Sequence, residues 1–407
     1  MIDVVQRISD FNKGRDPERV AMKFRNMRVN PFIFLRGTCH LFYERLPRNS
    51  IFKTAPLTWN CGDMHLENFG SYKGDNRLTY FDMNDFDEAA LAPLSWELVR
   101  LLTSILTGAD SLSISQFEAH ALCETLIDAY AHALTCGKAT WVERETSNGM
   151  IHQLLNDLRE RQRADYLNRR TTLQGRGKHR RRTIHIDGKK TLAASEAQKI
   201  KVTRLIHDYA NTRPNPEFFE VLDIARRIAG TGSLGVDRYV ILVEGKGSPD
   251  SNYLLDLKNA MPSELARNCR IRQPRFETEA HRVVAIERRM QSVSMAFLTA
   301  VKMGGSGYIL RALQPTEDRV NLDRHQNSMV ELRQTITTLG QIVASAHLRS
   351  TGRDGSAIAD ELIEYGQKHK WKSRLLSAAQ DCAQQVESDW NVYCEAYDDG
   401  EFKPEKL

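Results

Sequence analysis

The chain has 407 residues, 41% of them hydrophobic and 27% charged, with a net charge of +5. That length allows two or three units sharing substantial cores, and the composition is that of a globular protein rather than a disordered or fibrous one. So mild a charge gives no argument for a nucleic-acid partner, and no uncharged stretch reaches membrane-spanning length.

The first residues, Met1-Ile2-Asp3-Val4-Val5-Gln6-Arg7, have neither the basic start nor the apolar run of a signal peptide. Seven cysteines without a C-x-x-C pair or a regular framework read as reduced, mostly buried thiols, so a cytoplasmic location is expected. After a polar opening, Asn30-Pro31-Phe32-Ile33-Phe34-Leu35-Arg36-Gly37 leads into an apolar helix or turn ending near Leu46.

The most informative stretch comes next. Cys61-Gly62-Asp63-Met64-His65-Leu66-Glu67-Asn68 is followed by Phe81-Asp82-Met83-Asn84-Asp85-Phe86-Asp87. In magnesium-dependent phosphoryl transfer one Asp accepts the proton of the attacking hydroxyl. An Asn shortly after it holds metal, and a further Asp holds metal and nucleotide phosphates together. Asp63 and Asn68 have that spacing, and Asp85 or Asp82 supplies the second acid. Residues 77–81 alternate and are β-prone, which makes them a hairpin strand with both clusters at one edge of a small ribbon. Carboxylates among apolar neighbours repel one another and are costly to desolvate unless a cation compensates them.

Residues 93–107 read as a helix with Trp96, Val99, Leu102 and Ile105 on a buried stripe; it carries Glu97 and Arg100. Residues 115–134 form a second helix with Phe117, Ala121, Leu122, Leu126, Ala129 and Ala133 on one face. Residues 140–210 are polar and basic with weak periodicity. Their run Arg176-Gly177-Lys178-His179-Arg180-Arg181-Arg182 reads first as a solvated loop and second as an anion or RNA patch. From about residue 218 the texture changes to strand, glycine turn, strand, turn, strand over residues 226–258. Helical periodicity resumes over 278–300, with Val283, Ile286, Met290, Val293 and Phe297 inward. Residues 308–313 are a short strand, and 332–347 and 371–397 are helices.

Gly230-Thr231-Gly232-Ser233-Leu234-Gly235 matches G-x-G-x-x-G, a pattern shared by dinucleotide folds and kinase flaps. A dinucleotide turn opens a helix, whereas Arg238-Tyr239-Val240-Ile241-Leu242-Val243 is an apolar, β-branched run. The loop therefore joins two strands, as a phosphate-covering flap does. Tyr253-Leu254-Leu255-Asp256-Leu257-Lys258 then ends in a lysine where such a fold carries its phosphate-binding Lys. That lysine needs a carboxylate on the following helix, and Glu287 is the choice. Gly230, Gly232, Ser233, Gly235, Lys258 and Glu287 are thus the candidate nucleotide-binding set.

These parts stand in an unusual order. The catalytic and metal segments come first, and the helix ending Ala344-Ser345-Ala346-His347 comes near the end, as a circular permutation would leave them. His347 is then expected within the same lobe as Asp63.

With these motifs the chain resembles a bacterial family of unknown function in the protein-kinase-like superfamily. The likeness rests on Phe34-Leu35-Arg36-Gly37, the 61–70 and 84–88 segments, residues 93–101, Gly232-Ser233-Leu234-Gly235, Lys258 and residues 344–347. The Asp63 segment is also similar to the His-Gly-Asp-x-His-x-x-Asn loop of aminoglycoside and choline kinases. Cys61 replaces the first His, and Glu97 stands where an Asp usually follows the metal loop. The resemblance implies an α+β, protein-kinase-like two-lobed fold in circularly permuted order, with a small β-rich lobe inserted between helical segments. The expected division is 1–210 and 319–407 for the helical lobe and 211–318 for the β-rich lobe. The expected activity is ATP- and Mg2+-dependent phosphoryl transfer to an unknown small-molecule or protein hydroxyl, with Asp63 as base and Asn68 and Asp85, or Asp82, as metal ligands.

Two readings compete. A metal-dependent phosphohydrolase using Asp63, His65, Asp82 and Asp85 leaves the glycine flap and Lys258 without purpose. A catalytically silent nucleotide-binding regulator has no physical need for Asp63, Asn68, Asp85 and Lys258 together. Transfer of AMP in place of phosphate would use the same metal site.

Overall fold

Asp3 and Asp16 each accept a backbone N–H three residues on, and a helix follows each: α1 (Val4–Asn12) and α2 (Pro17–Met27). Pro17, at a first-turn position where no N–H is needed, reinforces the second start. The computed structural model describes residues 2–47, 51–176, 180–315, 318–323 and 325–402. The chain continues through α3 (Pro31–Gly37), α4 (Cys39–Arg45), α5 (Ile51–Thr54) and β1 (Leu57–Asn60). The hairpin β2 (Phe69–Lys73) and β3 (Thr79–Met83) precedes β4 (Ala90–Pro93), which returns to pair with β1. Then come α6 (Leu94–Thr107), α7 (Gln116–Cys136), α8 (Gly149–Glu160), α9 (Arg163–Asn168) and the hairpin β5 (Thr171–Gln174) and β6 (Arg181–Ile184).

Next are β7 (Thr191–Ala193), α10 (Glu196–Ala210), β8 (Val221–Arg227), β9 (Arg238–Val243), β10 (Tyr253–Asn259), α11 (Glu264–Asn268), α12 (Glu279–Met290), β11 (Thr299–Met303) and β12 (Ser306–Ala312). Three helices finish the chain: α13 (Met329–Arg349), α14 (Ala359–Gln367) and α15 (Lys370–Asp398). The protein is a mixed α+β structure, as expected. No helix of the described residues is long and apolar enough to cross a membrane.

Strands β7 to β12 form one antiparallel sheet in the order β11-β12-β10-β9-β8-β7. Successive residues of a strand face opposite sides, and the sheet uses both. Tyr239, Ile241 and Val243 of β9 and Leu255 and Leu257 of β10 pack with Val202, Leu205 and Ile206 of α10. On the other face Val240, Leu242 and Leu254 meet Leu167 and Ile184. That face then changes character, because Arg238, Asp256 and Lys258 continue it with charge. β7 and α10, upstream of residue 211, belong with this sheet. The glycine loop joins β8 to β9 as a hairpin connection and opens no helix, in agreement with the sequence.

The helices share a separate, larger core, with nearly every position of α6 buried among α7 and α15. Three expectations need correcting. The buried face of α7 is Ala119, Leu122, Cys123, Leu126, Ile127, Tyr130, Ala131 and Leu134, while Phe117 is 85% exposed. Apolar residues run almost all round this helix, so the sequence alone favoured a rotated stripe. The helix expected over 278–300 stops at Met290. There Gln291 donates to the Met83 carbonyl at 2.7 Å and the Ser292 N–H donates to Asp82 at 3.0 Å, so the hairpin takes the chain away from the helix. Residues 140–210 hold three helices and three strands rather than loosely patterned chain. Of the basic run, Gly177, Lys178 and His179 lie outside the described residues; Arg182 is buried, with Asp250 at 2.6 Å.

The α7 correction is checked by denaturant unfolding. Leu122→Ala, at a fully buried position, is expected to cost about 2–5 kcal/mol. Phe117→Ala should stay within about 0.5 kcal/mol; equal losses would restore the expected face.

Candidate active site

Gly62 begins the site. Its φ is +87°, and a Cβ there would stand 2.1 Å from the Glu88 carbonyl oxygen, so only glycine allows this turn against the acidic run. The Cys61 and Gly62 N–H groups both donate to Glu97 on α6, at 2.5 and 3.2 Å. The other Glu97 oxygen meets His347 Nε2 of α13 at 2.8 Å, and His347 Nδ1 meets the Tyr130 hydroxyl at 2.8 Å. Glu97 and His347 are fully buried. His347 therefore touches the Asp63 loop through one carboxylate.

Asp63 is gripped on one side only. Arg100, one turn beyond Glu97, directs Nε (2.9 Å) and an Nη onto Asp63 Oδ1 and donates to the Leu35 carbonyl at 3.0 Å. Oδ2 is left facing Gly232 of the glycine loop, where a Cβ would lie 3.7 Å from it. Asn68 ties the two acidic segments together. Its Nδ2 donates to the Asp63 and Asp85 carbonyls, both at 3.1 Å, and its Oδ1 accepts the Asp85 N–H at 2.7 Å.

Lys258 reaches across from the sheet. Its ammonium bonds the Asp87 carboxylate and lies 3.8 Å from Asp85. Burial works to raise the Asp85 carboxyl, but the charges of Lys258, Arg311 and Arg238 hold it below the usual carboxylate range. Burial and the neighbouring Asp85 charge push Asp87 up. Glu287, expected as the partner of Lys258, is instead 3.7 Å from Arg311, and neither of its oxygens has a hydrogen-bond donor. Asp82 stands apart. It is buried behind the hairpin, accepting from Met83, Ser292 and Arg349, and it does not line the cleft.

The glycine loop closes over these groups. Gly230, Thr231, Gly232 and Ser233 line a cleft with Asp63, Asn68, Asp85 and Asp87. Gly235 does not; it packs on α2, where a Cβ would come within 2.7 Å of Val20, and its carbonyl accepts the Asp16 N–H. Arg15 and the buried Lys23 both donate to the Gly232 carbonyl, at 3.1 and 3.2 Å.

Magnesium characteristically takes one or two carboxylates and completes its shell with water and phosphate oxygens. Asp85 and Asp87, with Asn68 beside them, fit that donor set. The expected four-ligand alternative does not assemble. His65 Nδ1 accepts the Glu67 N–H at 3.1 Å and burial keeps the ring neutral, while Asp82 faces elsewhere. Among the described residues no three His, Cys, Asp or Glu side chains gather as a metal site.

Several residues escaped the sequence reading. Asp87 lay in the acidic run already singled out. Arg100 carried a signal, since a cation inside an otherwise apolar helix needs a buried partner. Arg227, Arg238 and Arg311, which line the same cleft, carried none, because single strand arginines usually face water.

A family described as "Uncharacterized protein conserved in bacteria (DUF2252)" matches residues 15–396. No curated protein and no solved structure matches the chain.

Burial, opposed by Arg311 and aided by Asp85 and Asp87, pushes the Glu287 carboxyl from 4.5 up to about 7. The folded chain thus keeps a proton that the unfolded chain releases. The resulting stability is fully present below pH 4.5 and is lost as pH rises toward about 7. Thermal melts across that window should show a decline in the wild type that Glu287→Gln flattens. An unchanged slope in the variant would mean that Glu287 is ionised in the fold.

Proposed function

The chain belongs to this bacterial family, and for it we propose an ATP- and magnesium-dependent phosphotransferase of kinase-like, circularly permuted fold acting on a hydroxyl acceptor. One observation carries the reading: Lys258, near the end of β10, meets Asp87, 171 positions away, and Asp87 lines the same cleft as Asp63 and the glycine loop. The sheet supports it. A glycine hairpin (β8 and β9), a lysine strand (β10), a helix (α12) and two further strands follow in the sequence order of a kinase's nucleotide lobe. Permutation is supported by α13, whose last turn touches the Asp63 loop through His347 and Glu97 and so ends where an unpermuted chain would enter that loop.

Asp63 Oδ2 takes the proton of the acceptor hydroxyl while Arg100 holds Oδ1. The acceptor oxygen bonds the γ-phosphorus as the bond to the β–γ bridging oxygen breaks, and that electron pair leaves with ADP. Lys258 and the amides of residues 230–233 offset phosphate charge, and Asn68 fixes the distance between base and acidic loop. Magnesium, held by Asp85 and Asp87 beside Asn68, supplies charge neutralisation on the phosphates when bound. Positioning and electrostatics are the main terms in such transfers.

Calorimetric titration with Mg·ATP and mass analysis of the nucleotide products test this; AMP in place of ADP would favour nucleotidyl transfer. Asp85→Asn should weaken Mg·ATP binding more than Asp82→Asn, whose effect should appear in thermal stability. A larger binding loss at Asp82 would move the metal loop by three residues.

Asp63→Asn should lower intrinsic ATP hydrolysis by about 10²–10⁴ and leave ATP affinity within a few-fold. Lys258→Ala should weaken affinity itself. Unchanged hydrolysis in Asp63→Asn would favour a nucleotide-binding regulator, and unchanged affinity in Lys258→Ala would detach the sheet from the phosphate site.

A further inference from the structure

Behind the glycine loop sits a lysine without an anion. Lys23 of α2 is 0% exposed, and its hydrogen bonds among the described residues go to the Asn12 side-chain oxygen at 3.0 Å and the Gly232 carbonyl at 3.2 Å. Every element packed around it repeats the lack. α1 offers neutral Asn12 and the Phe11 ring, whose centroid is 5.0 Å from Nζ. The turn before α2 offers Arg15, a like charge on the same carbonyl. α4 offers Cys39 and His40. His40 is stacked on Phe11 at 3.9 Å with neither ring nitrogen bonded, and burial keeps it neutral, as burial keeps the Cys39 thiol protonated. Asp63 and Glu88 favour the charged form of Lys23 without pairing with it.

A buried cation left unpaired is costly, and such a group neutralises instead. The bonding agrees. A neutral amine has two N–H groups and Lys23 has two acceptors, whereas an ammonium would leave a third buried donor unused. Burial, aided by the Arg15 charge, pushes the amine well below the usual lysine range.

The carbonyl that Lys23 holds belongs to a trans peptide. The Ser233 N–H of that peptide therefore points the opposite way. It donates to no group of the described residues, although Ser233 lines the cleft. Lys23 and Arg15 thus fix the orientation of an open amide in the loop.

We propose that Lys23 positions the glycine loop for phosphate and takes up a proton as phosphate binds, being an amine in the free chain and an ammonium in the bound one. The inference rests on the nucleotide reading above and adds how that site responds to its ligand. Phosphate brings the negative charge that the surroundings of Lys23 lack. The proton comes from solvent, no covalent bond to carbon or phosphorus changes, and the bond to Gly232 survives because both forms donate.

The test is calorimetric titration of the full chain with Mg·ATP at about pH 8, where nucleotide phosphates are ionised, once in Hepes and once in Tris. These buffers release a proton with different heats, so proton uptake appears as a binding enthalpy that differs between them. The wild type should show the difference expected for close to one proton per nucleotide. Lys23→Met, which keeps the apolar stem, should lose that difference. Lys23→Arg, permanently charged, should lose it too and serves if the Met variant does not fold. Equal enthalpies in the wild type overturn the inference and leave the phosphotransferase reading standing. A difference that persists in either folded variant assigns the proton to another group and overturns it as well. If Mg·ATP does not bind the wild type, the nucleotide reading falls and this inference with it.

Discussion

The structure depends on one buried cation. Lys258, its side chain 4% exposed, holds the six-stranded sheet to the acidic loop after β3 through Asp87 and Asp85. An ammonium removed from water loses several kcal/mol of hydration, roughly, and recovers it only from close opposite charge. The carboxylates face the same requirement, since Asp85 and Asp87 repel each other without a cation between them and the sheet. Each side of the cleft therefore supplies what the other lacks. Removing the carboxylates would leave the Lys258 ammonium buried and uncompensated, whereas Asp85 and Asp87 keep contact with solvent.

The same constraint recurs through the molecule. Arg100, fully buried, is tolerable because Asp63 and the Leu35 carbonyl take its Nε and Nη2 hydrogens, and in doing so it fixes one oxygen of the proposed base. Glu97 is tolerable because two backbone amides and His347 surround it, which locks the loop bearing Asp63 to α6 and α13. Charge is thus buried where the chain must be positioned, and satisfied from elements distant in sequence.

That explains what the sequence could and could not disclose. Asp63, Asn68, Asp85 and Gly232 were legible from their residue types and local spacings, and the structure brings these four to one cleft, with Lys258 bonded to Asp87 of its lining. The strands of the glycine hairpin were legible because an apolar, β-branched run follows the loop. Glu287 was chosen by helix position alone, and position on a helix does not decide which of two nearby cations is closer. Asp82 competed with Asp85 because both are acidic; only the capture of Asp82 by Ser292 and Arg349 separates them. The face of α7 was misjudged for a different reason, since alanines allow several apolar stripes and packing selects among them. Arg227, Arg238 and Arg311 were invisible, because what brings them together is register across four strands.

The glycine loop shows how these levels meet. Its backbone leaves carbonyls to which no strand partner donates, and a buried carbonyl must find a donor. α2 and the turn before it provide them: Arg15 and Lys23 at Gly232, and Arg19 at Val236, at 2.9 Å. Arg226 of β8 answers with Asp16 at 2.7 Å and Glu18 at 3.0 Å on α2. The loop nearest Asp63 is therefore fixed from behind by α2 and the turn before it, the start of that helix being set by Asp16. Asp16 serves twice, as helix cap and as the anion for Arg226, so a local signal in the sequence also fixes a long-range contact. The placement of the loop over Asp63 follows from those satisfied carbonyls more than from the glycines, which make the turn possible but do not choose where it lies.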